Sequence, residues 1–176
     1  MMKLVFQHFL NEGVKELFVK PEGKRPFDDL TISAYDINNL AVRCPHLEDL
    51  DLQDFTIMRW PSLRFPWATL QRLVINKASP KCFEHVALHT SAPNIRYLTI
   101  GVGPSEVVLP DMHLCSSLQE VYLEEGTFSF PGKIPFPREL KTLCGSWYAR
   151  VNWSKDELEI YFEDCSICSD LEHLRE

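Results

Sequence analysis

Leu47-Glu48-Asp49-Leu50-Asp51-Leu52 places apolar residues at the first, fourth and sixth positions of a short run. The last two lie two residues apart, so in an extended chain they share one face and the residue between them points the other way. The arrangement recurs as Leu70, Leu73 and Ile75, then Ile95, Leu98 and Ile100, then Leu118, Val121 and Leu123. Upstream, Val14, Leu17 and Val19 fit the same template; Leu140 and Leu143 repeat its opening with Gly145 in third place, and Leu171 and Leu174 begin a seventh copy. The starts at 47, 70, 95 and 118 are 23, 25 and 23 residues apart, enough for a strand, a turn, a short helix and a way back. A strand with one apolar face cannot stand alone, whereas stacked copies bury a continuous core.

A side-chain pattern returning every ~20–30 residues is the mark of a leucine-rich repeat. The fold expected is therefore α/β: a leucine-rich repeat solenoid, a horseshoe of the ribonuclease-inhibitor type with a curved parallel sheet and irregular repeats. Strands are expected near 15–19, 49–53, 72–76, 97–101, 120–124 and 141–145, with Leu50, Leu52, Leu73, Leu98, Ile100 and Leu123 buried. Residues 1–176 read as a single domain of six to seven repeats. The copy that begins at Leu171 points to a fragment of a longer solenoid, because an uncapped end exposes its core to water.

The returns are less regular. Tyr35–Arg43 gathers Ile37, Leu40 and Ala41 on one helical face, and Pro80–Thr90 does the same with Phe83, Val86 and Ala87. Pro61, Pro66, Pro131, Pro135 and Pro137 forbid long helices elsewhere. Phe27–Ile32 fits the strand template but starts 13 residues after Val14, so it reads as a loop into the first helix. In the last return, Ser154 followed by Asp156 and Glu157 reads as an N-cap opening a helix over Lys155–Cys165. The alternation of Leu158, Ile160 and Phe162 is the competing strand signal.

Three residues before each repeat's first apolar place stand Cys44, Trp67, Ala92, Cys115, Pro137 and Cys168. Half of the six cysteines thus occupy one equivalent position, where cysteine serves as a small buried hydrophobe. Cys44 and Cys115 are three repeats apart and cannot meet, so reduced thiols in a cytoplasmic or nuclear protein are expected rather than a disulfide framework. An apolar content of 45% suits a globular class, and no window has the apolar length of a membrane span. A net charge of −7 disfavours nucleic acid and favours a basic or neutral protein surface as partner.

No spacing singles out chemistry. Cys82, His85 and His89 offer three metal ligands on one helix without a local fourth, and Cys165 and Cys168 form a lone C-x-x-C. Gly101-Val102-Gly103 lacks the third glycine of a nucleotide loop, and Asn152-Trp153-Ser154 is a glycosylation sequon with meaning only in a secreted chain. The expectation is a non-enzyme with no catalytic residues, cofactor or metal.

The residues flanking the inward positions should line the concave sheet. These are Asp49, Asp51 and Gln53, then Arg72, Val74 and Asn76, then Tyr97, Thr99 and Gly101. Glu120, Tyr122 and Glu124 follow, and Thr142, Cys144 and Ser146 close the series. Tyr97 and Tyr122 would anchor a protein partner, since aromatic residues and arginine dominate binding hot spots. The competing expectation is that these residues only meet water and a partner sits on a rim or loop.

The stretch from Leu30 to Leu52, above all Leu40-Ala41-Val42-Arg43-Cys44-Pro45-His46-Leu47-Glu48-Asp49-Leu50-Asp51-Leu52, resembles the cysteine-containing repeats of F-box and leucine-rich-repeat proteins. There a phrase of the type LAxxCPxLxxLxL ends one helix and opens the next strand. Ala92–Ile95 and Cys115–Leu118 are weaker copies. The resemblance implies the substrate-recognition region of a cullin–RING ubiquitin ligase receptor. Nothing upstream of Val14 is long enough for an F-box, so docking on the Skp1 adaptor and cullin would need a segment missing from this chain. The alternative is a generic leucine-rich-repeat scaffold or regulator unrelated to ubiquitination.

Overall fold

The computed structural model describes residues 11–18, 30–58, 67–78, 87–102, 106–109, 112–124, 126–130, 136–137, 139–145, 149–153 and 159–161. The strands Glu16–Phe18 (β1), Asp49–Met58 (β3), Arg72–Ala78 (β4), Tyr97–Val102 (β5), Glu120–Leu123 (β7) and Thr142–Gly145 (β9) stand side by side in that order. Every neighbouring pair on this path is parallel. The chain is therefore α/β with an open parallel sheet of six strands, to which Leu30–Ser33 (β2) adds along β3.

The register follows the sequence pattern place by place. Leu17 pairs with Leu50, Leu50 with Leu73, Leu73 with Leu98, Leu98 with Val121, and Val121 with Leu143. Leu50, Leu73, Leu98, Val121 and Leu143 are each at most 1% exposed, as are Leu52, Ile75, Ile100 and Leu123 one pleat further on. Leu47, Leu70, Ile95, Leu118 and Leu140, the opening places of each copy, join the same core.

The entry to each copy is built from backbone. In a turn repeated along the sheet, the carbonyls of Asn11, Cys44, Trp67, Ala92, Cys115 and Pro137 accept from the N–H three residues on, at 2.9–3.2 Å. The next link crosses between copies: the N–H groups of Glu48 and Asp49 both donate to the Lys15 carbonyl. Gln71 and Arg72 do the same to Glu48, Arg96 and Tyr97 to Gln71, Gln119 and Glu120 to Arg96, and Lys141 and Thr142 to Gln119. These bonds satisfy backbone groups ahead of the strands and lock each copy to its predecessor.

The returns depart from expectation in three places. Leu30–Ser33 is a strand, pairing with Phe55–Met58, so β1 and β2 lie end to end along one edge of a ten-residue β3. Its apolar alternation outweighed the short spacing that argued for a loop. The helix Ala34–Arg43 (α1) matches expectation, burying Ile37 and Leu40 and placing Arg43 in its last turn. The second helix, Leu88–Ser91 (α2), is a single turn: Ala87 has φ −89° and ψ 89°, which breaks the continuous helix read over Pro80–Thr90. Phe83 and Val86 lie outside the described residues.

A second sheet occupies the returns that follow β5, β7 and β9. Val107–Val108 (β6), Gly126–Phe130 (β8) and Ala149–Trp153 (β10) pair in parallel, with Val107 opposite Phe128 and Phe128 opposite Val151. Gly126 adopts φ 134°, a conformation that costs glycine little, where the chain turns from β7 into β8. Glu159–Tyr161 (β11) pairs antiparallel to β10, so the helix expected over Lys155–Cys165 is a strand at its described centre. The alternation of Leu158, Ile160 and Phe162 won because Ile160 has a partner, Val151, in register. None of the described helices is long and apolar enough to cross a membrane.

Candidate functional site

Between the core positions, each strand presents residues to the opposite side of the six-stranded sheet, and the parallel register lines them up in rows. The first row runs Glu16, Asp49, Arg72, Tyr97, Glu120 and Thr142. The second runs Phe18, Asp51, Val74, Thr99, Tyr122 and Cys144. Ten of the fifteen residues expected to line the sheet therefore share two continuous rows: Asp49, Asp51, Arg72, Val74, Tyr97, Thr99, Glu120, Tyr122, Thr142 and Cys144. Glu16 and Phe18 were missed, although the same alternation around Leu17 signals them.

A third row does not form across β3 and β4. Beyond the Leu52–Ile75 pair the register shifts, β3 spending four residues to reach Thr56 where β4 spends two to reach Lys77. Gln53 and Asn76 sit at that irregularity, and such a bulge re-aims side chains. Their side chains lie outside the described residues, as does Ser146. Gly101 is buried and Glu124, just beyond β7, is half-buried.

The two ends of the face differ in character. Around β3 and β4 it is closed on itself. The Arg72 guanidinium donates to Asp49 at 2.8 Å and to Asp51 at 3.4 Å, with its charged end 6.0 Å from the centre of the Phe18 ring. Asp51 is only 4% exposed and Val74 2%, so these two expected groove residues are packed rather than presented. A carboxylate is stable in such a place because a cation and hydrogen bonds replace its water. Cys144 is likewise 6% exposed and packs into the far end of the second row.

Around β5 and β7 the face is open. Tyr97 is 39% exposed, Glu120 is exposed, and Thr99 and Tyr122 are half-buried. On the rim just ahead of the strands, Lys15 meets Glu48 at 2.7 Å, and this hydrogen bond to the carboxylate raises the ammonium pKa above its ordinary value. Lys141 reaches Gln119 at 3.4 Å on the same rim. Among the described residues, no three His, Cys, Asp or Glu side chains gather to hold a metal ion. Cys82, His85, Cys165 and Cys168 lie outside those residues.

Cys44 and Cys115 are buried thiols at equivalent turns, separated by the copies that begin at Leu70 and Ile95. Burial pushes the Cys44 thiol above its ordinary pKa, with the Arg43 charge pulling weakly the other way. A raised folded-state pKa favours the protonated form, so this contribution to stability is complete below the pKa of the unfolded thiol. It fades as pH rises through the folded value. Cys44 is expected to resist a thiol reagent at neutral pH until denaturant unfolds the chain. Labelling of Cys44 in the native protein as fast as in the unfolded one would show that the turn opens readily.

Compared with protein-family models, with curated proteins and with solved structures, the chain shows a match to none.

Proposed function

We propose that the chain is a leucine-rich repeat solenoid, a curved horseshoe whose concave sheet face captures a protein, and that it turns over nothing by itself. The observation that carries this reading is the pair of in-register rows, polar and aromatic, laid over a sheet whose other side is core from β3 to β9. The repeated turn and the shared carbonyl at each entry support the solenoid part, since both recur once per copy. The resemblance of Leu40–Leu52 to F-box and leucine-rich-repeat proteins supports a role for this capture in protein ubiquitination, with the chain holding the substrate of a cullin–RING ligase. The buried Cys44 and Cys115 thiols fit a cytoplasmic or nuclear setting.

Tyr97 and Tyr122 are the expected anchors, on neighbouring strands and one pleat apart. Replacing both by alanine should weaken partner capture at least about tenfold if they are hot spots, while thermal unfolding stays close to that of wild type. The check is a quantitative pull-down from cell extract with the wild-type and doubly substituted chains side by side. Equal recovery of the same partners by a folded double variant would move the site off the sheet face.

A further inference from the structure

We propose that the partner presents an arginine-bearing extended segment, and that one arginine guanidinium seats against the Tyr97 ring and the Glu120 carboxylate. This rests on the sheet-face reading above and narrows it to β5 and β7. Among the described residues of the two rows, Glu16, Asp49, Asp51 and Glu120 are acidic and Arg72 is the only base. Arg72 is already engaged by Asp49 and Asp51 and lies over Phe18, so it offers little to a ligand. Glu120 is exposed and, among the described residues, takes part in no ion pair. The face is thus short of positive charge at the place where it is open, in a chain of net charge −7.

Geometry then selects the kind of cation. Tyr97 and Glu120 are direct partners across β5 and β7, so their side chains rise about 4.8 Å apart. A guanidinium is planar: it can stack on the phenol ring while its edge makes a forked pair of hydrogen bonds to the carboxylate. An ammonium could use the charge but not the fork. The strands from β3 to β9 span about 19 Å, which an extended segment of about six residues would cross.

Anisotropy of labelled hexa-arginine, hexalysine and hexaglutamate titrated with the intact chain tests this. Hexa-arginine should bind more tightly than hexalysine, hexaglutamate should not bind, and added salt should weaken the complex. Glu120→Gln and Tyr97→Ala should each lower hexa-arginine affinity about threefold or more. Glu106→Gln removes an equal charge from an exposed position outside the two rows, just ahead of β6 in the second sheet, and should leave affinity nearly unchanged. Equal losses for Glu120→Gln and Glu106→Gln would reduce the attraction to diffuse net charge and overturn the proposal. So would self-association of the chain that disappears in Tyr97→Ala, which would assign the face to a second copy. If protein capture is lost in the double tyrosine variant while hexa-arginine ignores Glu120→Gln, the sheet-face reading stands and the arginine ligand falls. If both are indifferent, the sheet-face reading falls with it.

Discussion

Replacing Leu98 by alanine is expected to destabilise the fold by about 2–5 kcal/mol, visible as a lower denaturant midpoint with an unchanged slope. Leu98 is 1% exposed and stands in register between Leu73 and Val121, so truncation empties the middle of the core row. Strands on both sides are held by ladder bonds and by the shared carbonyls ahead of them, so they cannot close around the space. Leu17 offers the contrast. It is only partly buried at the edge of the same row, and Leu17→Ala should cost clearly less. Equal costs at the two positions would mean that the row does not carry the stability assigned to it.

Arg72→Ala is expected to cost about 2–3 kcal/mol. A fully buried ion pair that loses one partner forfeits about 3–5 kcal/mol, but the Arg72 side chain is 35% exposed and water would recover part of the loss. What remains is the Asp51 carboxylate, 6% exposed at its side chain, without the guanidinium that now faces it. The Asp49 bond and the contact with Phe18 go as well. Asp51→Asn in the Arg72→Ala background should then cost less than Asp51→Asn alone, because the charge it removes has lost its counterpart. A double-mutant cycle by chemical denaturation measures that coupling; strict additivity would show that the two groups do not feel one another.

The six-stranded sheet was legible because its signal is short-range and repeated. Leu50 and Leu52 declare a face by their spacing, and each further copy confirms the same choice of side. Asp49, Tyr97 and Glu120 could be placed on the opposite side from spacing alone. Their differing fates could not. Asp51 and Arg72 look like equal members of a polar face, and only the register that sets Asp51 between Phe18 and Val74 makes it the packed partner of the pair. The bulge between Leu52 and Thr56 was equally invisible, since nothing in Gln53-Asp54-Phe55 departs from an ordinary strand end.

The returns failed for another reason. Thr127-Phe128-Ser129-Phe130 and Val151-Asn152-Trp153 alternate as strands do, but each is only half of a pairing. What makes them strands lies in one another, 23 residues apart at Phe128 and Val151. Periodicity within a single return cannot see that. The last return shows the same thing, for Ile160 became a strand residue when Val151 supplied its partner.

The turn that opens each copy asks its first residue for nothing but a carbonyl oxygen. Asparagine, cysteine, tryptophan, alanine and proline all hold that post, and every amino acid has the required acceptor, proline included although it lacks an N–H. The spelling of the post is therefore free while its punctuation is fixed. Five of the six occupants are buried, so beyond the carbonyl a replacement at 44 or 115 has to fit the space that the cysteine fills. A lineage of such chains can rewrite these letters one copy at a time, and change how tightly each copy is filled, without disturbing the reading frame in which the strands align.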